Sequence, residues 1–143
     1  MILIAHRGNT DGPKPALENK PVYLDAATAS GYDVEVDVWF QNNHFFLGHD
    51  VPQTLTSLEY LSHPRFWLHA KNLEALHRLR EANLHCFFHD SDDATLTSRG
   101  YIWTYPGKAL TPLSICVMPE RPDGHFSLCA GVCSDVVAKY RQR

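Results

Sequence analysis

The sequence predicts an α/β fold, built of strand–helix units in its first half and mostly of strands in its second. Short apolar runs alternate with capped, amphipathic segments as far as residue 88. Beyond that point the apolar runs are joined by Gly- and Pro-containing connections with little room for helices. The residues equipped for chemistry follow the predicted strands, and parallel α/β sheets place their sites at the C-terminal strand ends.

Residues 2–6 form a short apolar strand that ends at His6. Residues 9–15 are rich in Gly, Pro and polar side chains and form a loop. Pro21 opens a helix over 22–30, and Gly31 closes it. Residues 33–40 alternate, with Val34, Val36 and Val38 on one face and Glu35 and Asp37 on the other. Asn42-Asn43 is a turn, so 36–41 and 44–47 form a hairpin. Thr56-Ser57-Leu58-Glu59 has the form of a capping box, with Leu55, Leu58 and Leu61 supporting a short helix. Residues 66–70 are a strand. Asn72 caps a helix running to Ala82, with Leu73, Leu76 and Leu79 on one face and a Glu74–Arg78 pair outside. Residues 84–88, 101–105, 114–118 and 132–136 are further strands, and His89-Asp90-Ser91-Asp92-Asp93 is a polar loop. Strands alternating with helices favour a parallel sheet with right-handed crossovers.

At 143 residues the chain predicts one domain, 1–143, with a sizeable core. Its 44% hydrophobic and 20% charged residues are those of a soluble globular protein. The net charge of −3, without any Lys/Arg run, argues against a nucleic-acid partner bound by bulk electrostatics, so any phosphate recognition must be local. No apolar run approaches the ~20 residues of a membrane span, which predicts no membrane insertion. The N-terminus lacks the basic segment and cleavage pattern of a signal peptide, and a cytoplasmic location is expected. Cys86, Cys116, Cys129 and Cys133 form no CxxC pair and are expected as buried thiols. A zinc site from Cys129, Cys133 and a histidine is the sharper alternative, but its spacing matches no common zinc pattern.

Glu35 and Asp37, two apart on a strand, project from one face and repel each other unless a cation lies between them. Hard carboxylate oxygens suit Mg²⁺, Ca²⁺ or Mn²⁺. The bland alternative is a strand with one solvated face. His6-Arg7-Gly8 offers a proton shuttle, a planar fork for phosphate oxygens and a flexible backbone. Gly48-His49-Asp50 offers a second histidine, which would complete an acid/base pair.

Taken in order, His6-Arg7-Gly8, Glu18-Asn19, Gly31, Glu35-x-Asp37 and Gly48-His49-Asp50 resemble the N-terminal signature of the glycerophosphodiester phosphodiesterase family, of the phosphatidylinositol phospholipase C-like superfamily. The match covers about residues 2–71. Beyond it, Ile102-Trp103-Thr104 and Gly131-Val132-Cys133-Ser134-Asp135 resemble the family's late strands. The resemblance implies a general acid/base pair in His6 and His49, phosphate binding by Arg7 and Lys71, and metal ligation by Glu35 and Asp37. It also implies supporting roles beside the site for Glu18 and Asn19. Where the family carries its third acidic ligand, this chain has His69. Imidazole suits Mg²⁺ or Ca²⁺ poorly, so weaker binding of these ions, or a preference for Mn²⁺ or Zn²⁺, is expected. Glu120 and Asp90 are the carboxylates that could stand in for the absent acid. Trp103 and Tyr105 share a strand face and could pave the pocket floor.

The implied fold is a compact, incomplete TIM-like (β/α) barrel with helices reduced in the second half. A full barrel takes ~250 residues, so only seven strands and three helices are expected here, with a strand missing. Strands stripped of helices expose apolar faces, which a homodimer would cover. The function expected is metal-dependent hydrolysis of a small, soluble glycerophosphodiester-like substrate by His acid/base catalysis. The alternative is a non-catalytic phosphate- or sugar-phosphate-binding module of the same descent.

Overall fold

The computed structural model describes residues 1–141. Among the described residues ten strands, three helices and a terminal 3₁₀ turn follow one another. They are β1 (Ile2–His6), α1 (Pro21–Ala29), β2 (Asp33–Gln41), β3 (His44–Leu47), β4 (Thr54–Thr56), α2 (Leu58–Leu61) and β5 (Phe66–Ala70). After these come α3 (Leu73–Glu81), β6 (Cys86–Phe88), β7 (Ala94–Leu96), β8 (Ile102–Thr104), β9 (Ser114–Val117), β10 (Gly131–Ser134) and the turn Val137–Tyr140. No helix among the described residues is long and apolar enough to cross a membrane.

The strands form a curled sheet, an eight-strand half-barrel in the order β6-β5-β2-β1-β10-β9-β8-β7. Every neighbouring pair is parallel except β7–β8. The reversal of β7 has a local cause. The turn after it closes with Thr97 N–H donating to Tyr101 O at 2.8 Å and Gly100 N–H to Thr97 O at 3.0 Å. So short a connection can only return the chain antiparallel; a parallel return needs a crossover. The eighth strand thus exists, contrary to the expectation of a missing one, but it was built from a hairpin. Among the described residues β6 and β7 do not pair as strands. Ser98 N–H donates to Cys86 O (2.8 Å) and Thr95 Oγ1 to Phe88 O (2.9 Å) across that seam.

β2 serves two structures. Its first part lies between β1 and β5 in the parallel sheet, and its last part forms the hairpin with β3. The hairpin turn places Asn42 and Asn43 at φ 50° and 64°, left-handed values that asparagine tolerates. Glu35 and Asp37 therefore sit in mid-strand, not at its end. Alternation sends their side chains to one face and Val34, Val36 and Val38 to the other. The valines join Leu24, Ala27, Ala75 and Leu79 in a core beneath α1 and α3. A second core fills the inside of the curl with Ile4, Trp67, Phe87, Trp103, Ile115 and Cys133. There Phe87 stacks on Trp103 at 4.5 Å between centroids.

Several local expectations shift. Ser57, not Thr56, caps α2, accepting from Tyr60 N–H; Thr54–Thr56 pairs with β3 instead, leaving Leu55 62% exposed. α3 is capped by Asn72 as expected, and Glu74 pairs with Arg78 at 3.0 Å. Its buried face is Ala75 and Leu79, whereas Leu73 is 72% exposed. All four cysteines are free thiols; three are buried and Cys129 is half-buried.

Gly48 leaves β3 at φ 151°, and a Cβ there would meet Val51 O at 2.1 Å. Because the neighbour is backbone, the clash cannot be relieved by a side-chain rotation. Gly48→Ala is expected to cost about 2 kcal/mol or more in a urea melt and to shift the side-chain resonances of His49. An unchanged urea midpoint would show that the loop relaxes freely.

Candidate functional site

After β1 the chain turns through Arg7 and Gly8 at φ 55° and 92°. A side chain at Gly8 would collide with the Tyr23 ring at 2.8 Å. The turn lays Arg7 N–H over β2, where it meets both Glu35 O (3.0 Å) and Glu35 Oε2 (3.2 Å). It also delivers Asn9, wholly buried, whose Nδ2 donates to Glu18 Oε1 and Asp135 Oδ1, both at 2.8 Å. Asn9 Oδ1 accepts from Tyr23 Oη at 2.8 Å.

Glu35 and Asp37 are 2% and 0% exposed, so their charges depend on neighbours rather than water. Asn19, at φ 60°, clamps Asp37 from both sides: its Nδ2 donates to Oδ2 (2.9 Å) and its Oδ1 accepts from Asp37 N–H (3.0 Å). His69 comes across from β5, its Nδ1 lying 3.2 Å from Asp37 Oδ1 and 3.6 Å from Glu35 Oε1. One ligand atom from each of Glu35, Asp37 and His69 fits within 4.8 Å of the others, so this buried cluster can hold a metal ion. The donor set fits one: Asp37 Oδ1, the oxygen that faces His69 Nδ1, is buried without a directed hydrogen bond among the described residues. The 3.2 Å contact to Oδ1 is close but misaligned.

Two more histidines flank the cluster. His6 Nδ1 lies 2.8 Å from Asp135 Oδ1, and a carboxylate can only accept, so Nδ1 carries the proton. Nε2 of His6 is left facing Glu35 Oε2 at 3.8 Å. Arg7 Nη2 donates to His49 Nε2 at 3.0 Å, which assigns the His49 proton to Nδ1, 3.3 Å from Asp37 Oδ2. Arg7 also approaches Asp37 Oδ2 through Nε (3.3 Å) and Glu18 Oε2 through Nη1 (3.5 Å).

Protonation follows from this crowding. Burial alone would raise Asp37, but its contacts with His49, His69 and Arg7 prevail and hold it well below the usual carboxylate range. Burial likewise opposes ionisation of Asp135, and His6 reverses the direction. Burial would lower His69; Asp37 and Glu35 outweigh it and push its pKa up to about 9. His69 is therefore an imidazolium at neutral pH without metal, one positive charge between two negative ones.

A cavity of about 430 Å³ opens above the cluster. His6, Arg7, Glu35, His49, His69 and Lys71 line one side. The other side is formed by His89, Trp103, Tyr105 and Arg121, with Asp90 among the lining residues. His89 stacks on Tyr105 at 3.8 Å. His89 Nδ1 and the Tyr105 hydroxyl are buried without a hydrogen-bond partner among the described residues. Burial lowers the pKa of His89, assisted by His69, and burial raises that of Tyr105, assisted by Glu35.

The structure thus brings His6, Arg7, Glu35, Asp37, His49, His69 and Lys71 together, with Glu18 and Asn19 bracing them. Trp103 and Tyr105 lie in the cavity wall as expected. Glu120 does not reach the cluster; its carboxylate accepts from Ser134 Oγ (2.8 Å) and Tyr140 Oη (3.2 Å). Asn9, Asp135, His89 and Arg121 join the site without having been singled out in the sequence for a role there. Asn9 follows the His6-Arg7-Gly8 turn directly, which is its one sequence signal. Comparison with protein-family models, with curated proteins and with solved structures finds no match for this chain.

The raised pKa of His69 fixes the sign of a pH effect. Its folded value of about 9 exceeds the ordinary 6.5, so its contribution to stability is full below about pH 6.5 and is lost as pH rises through about 9. In EDTA, denaturation melts between pH 6 and pH 10 should lose roughly 3 kcal/mol that His69→Gln does not lose. A parallel pH profile in the variant would refute the assignment.

Proposed function

We propose that this protein is a metal-dependent phosphodiester hydrolase, acting on a small glycerophosphodiester-like substrate, with Glu35, Asp37 and His69 as metal ligands. We read its half-barrel as a reduced TIM-like (β/α) barrel whose fifth stave, β7, was replaced by a hairpin strand. Support for the barrel reading comes from the parallel order of the other seven staves and from a site on their inner face. The single observation that carries the function is where the buried polar atoms without hydrogen bonds lie. Among the described residues Arg7 Nε, Asp37 Oδ1, His69 Nε2, His89 Nδ1 and Tyr105 Oη make none, and all belong to residues of this one cavity or its metal cluster. Arg7 Nε and Asp37 Oδ1 keep ion-pair contacts, at 3.3 Å to Asp37 Oδ2 and 3.2 Å to His69 Nδ1. A buried atom with no partner at all costs about 1–3 kcal/mol, so the concentration of these atoms supports a site that a ligand completes.

A divalent ion bound by the cluster would polarise the phosphate and neutralise charge that develops on it. Arg7 and Lys71 hold phosphate oxygens. His6, oriented by Asp135, offers Nε2 as the base that takes a proton from water or a neighbouring substrate hydroxyl. His49 is oriented by Asp37. When a phosphate draws the Arg7 guanidinium away, His49 Nε2 is released, takes up a proton from solvent and delivers it to the leaving alcohol. The imidazole ligand favours Mn²⁺ or Zn²⁺ over Mg²⁺ or Ca²⁺.

One observation favours a non-catalytic phosphate-binding module instead. His69 supplies its own positive charge to the carboxylate pair, so the cluster is neutralised in part without metal.

Assay of an aryl phosphodiester and several glycerophosphodiesters with Mn²⁺, Zn²⁺, Mg²⁺, Ca²⁺ and EDTA decides between them. Hydrolysis should require metal and run fastest with Mn²⁺ or Zn²⁺. His6→Ala and His49→Ala should each lower kcat by about 10²–10⁴-fold. Their melting temperatures should stay within a few degrees of the parent. Full activity in either variant removes the acid/base assignment, and phosphate binding without turnover under any metal establishes the binding module.

A further inference from the structure

Half of the cavity has no part in the chemistry just described. β10, β1, β2 and β5 bring Asp135, His6, Glu35, Asp37 and His69 to the reacting side. The opposite wall is carried by the segments that follow β6, β8 and β9, and its polar members are His89, Asp90, Tyr105 and Arg121. Two of these are in an unusual state. His89 and Tyr105 are stacked at 3.8 Å with ring planes 24° apart, and Nδ1 of one and Oη of the other are buried with no hydrogen-bond partner among the described residues. Neither atom contributes to folding in that condition. A phenylalanine would fill the place of Tyr105 without leaving a buried hydroxyl unpaired.

We infer that the His89–Tyr105 pair is a specificity subsite that hydrogen-bonds a hydroxyl group on the organic substituent of the substrate, beside the phosphate held at the metal cluster. Like the proposed function, this inference places a phosphate in the cavity. The chemistry of the wall selects the hydroxyl. An imidazole nitrogen and a phenol can each donate or accept, which matches a group that does both. A purely apolar substituent would leave both polar atoms unpaired, and sites with buried hydrogen-bonding groups discriminate strongly against analogues that lack the partner. Phe88 and Pro106, also in the lining, meet the carbon skeleton. The cavity, about 430 Å³, has room for a phosphate and a substituent of a few carbons.

The test compares glycerol phosphate with propyl phosphate, which share a carbon count and differ in two hydroxyls. Their dissociation constants are measured by calorimetry on the Mn²⁺-loaded protein and on its Tyr105→Phe and His89→Phe variants. The parent protein should prefer glycerol phosphate by about tenfold or more, and either variant should bring that ratio close to one. Tyr105→Phe should also melt at a higher temperature than the parent without ligand, because it removes an unpaired buried hydroxyl. A residue with a merely structural role would give the opposite shift in melting temperature and leave the ratio intact. Equal affinities in the parent, or a preference that survives both substitutions, overturn the subsite while leaving the proposed function standing. A bisphosphate probe that binds more tightly than glycerol phosphate, and whose gain depends on Lys71 and Arg121, also overturns it. Failure of both monoesters to bind overturns the subsite, while the proposed function stands or falls separately on metal-dependent hydrolysis of the diesters.

Discussion

Two carboxylates side by side on the inner face of one strand set the terms for the rest of this molecule. Glu35 and Asp37 are as buried as the valines between and around them. Water cannot screen their mutual repulsion, so the fold must supply compensating groups from elsewhere. It does so from four directions. β1 sends Arg7 and its backbone amide, the loop before α1 sends Asn19, the hairpin sends His49 and β5 sends His69. Each of these requires a particular strand order, since β1 and β5 must both lie against β2. The sheet topology and the electrostatics of the site are therefore one problem with one solution.

The same constraint explains which parts of the structure were legible in the sequence. The alternation of valine and acid over β2 was plain because one face packs under helices and the other meets charge. The Pro21 start and Gly31 stop of α1, the Asn72 cap of α3 and the asparagine turn were plain because each is a local rule satisfied locally. The first 71 residues hold most of the cluster, and its members are legible there in the order of short motifs along the chain. Less visible was Asp135, far along the chain, whose role arises only because β10 lies beside β1. Asn9 was hidden for a similar reason: its partners Glu18, Tyr23 and Asp135 come from three separate segments. β7 escaped notice because three residues give too short a pattern to read. α2 was misplaced by one residue because Thr56 and Ser57 are both good caps, and the pairing of Thr56 with Phe45 decided between them.

Economy shapes the second half. Three helices cover the β1, β2 and β5 side, whereas β8, β9 and β10 are joined by loops and followed by a single 3₁₀ turn. The curl is retained because aromatic side chains fill its interior: Trp67, Phe87 and Trp103 occupy the space that a larger barrel would fill with layered aliphatics. The same aromatics extend to the cavity, where His69 stacks on Phe87. Core and pocket floor are thus continuous, and rigidity in one is conferred on the other.

The seam between β6 and β7 divides the molecule in a way that matters for how it can change. Parallel ladders run without interruption through β5, β2, β1 and β10, and these hold the carboxylates and histidines in register. At the seam the strands meet through individual bonds from Ser98 and Thr95. The wall bearing His89 and Tyr105 spans this discontinuity. Lengthening the loop after either residue disturbs no ladder that carries the cluster. The fold therefore partitions mutational freedom: its reactive half is locked by backbone geometry, and its selective half is free to drift toward new ligands.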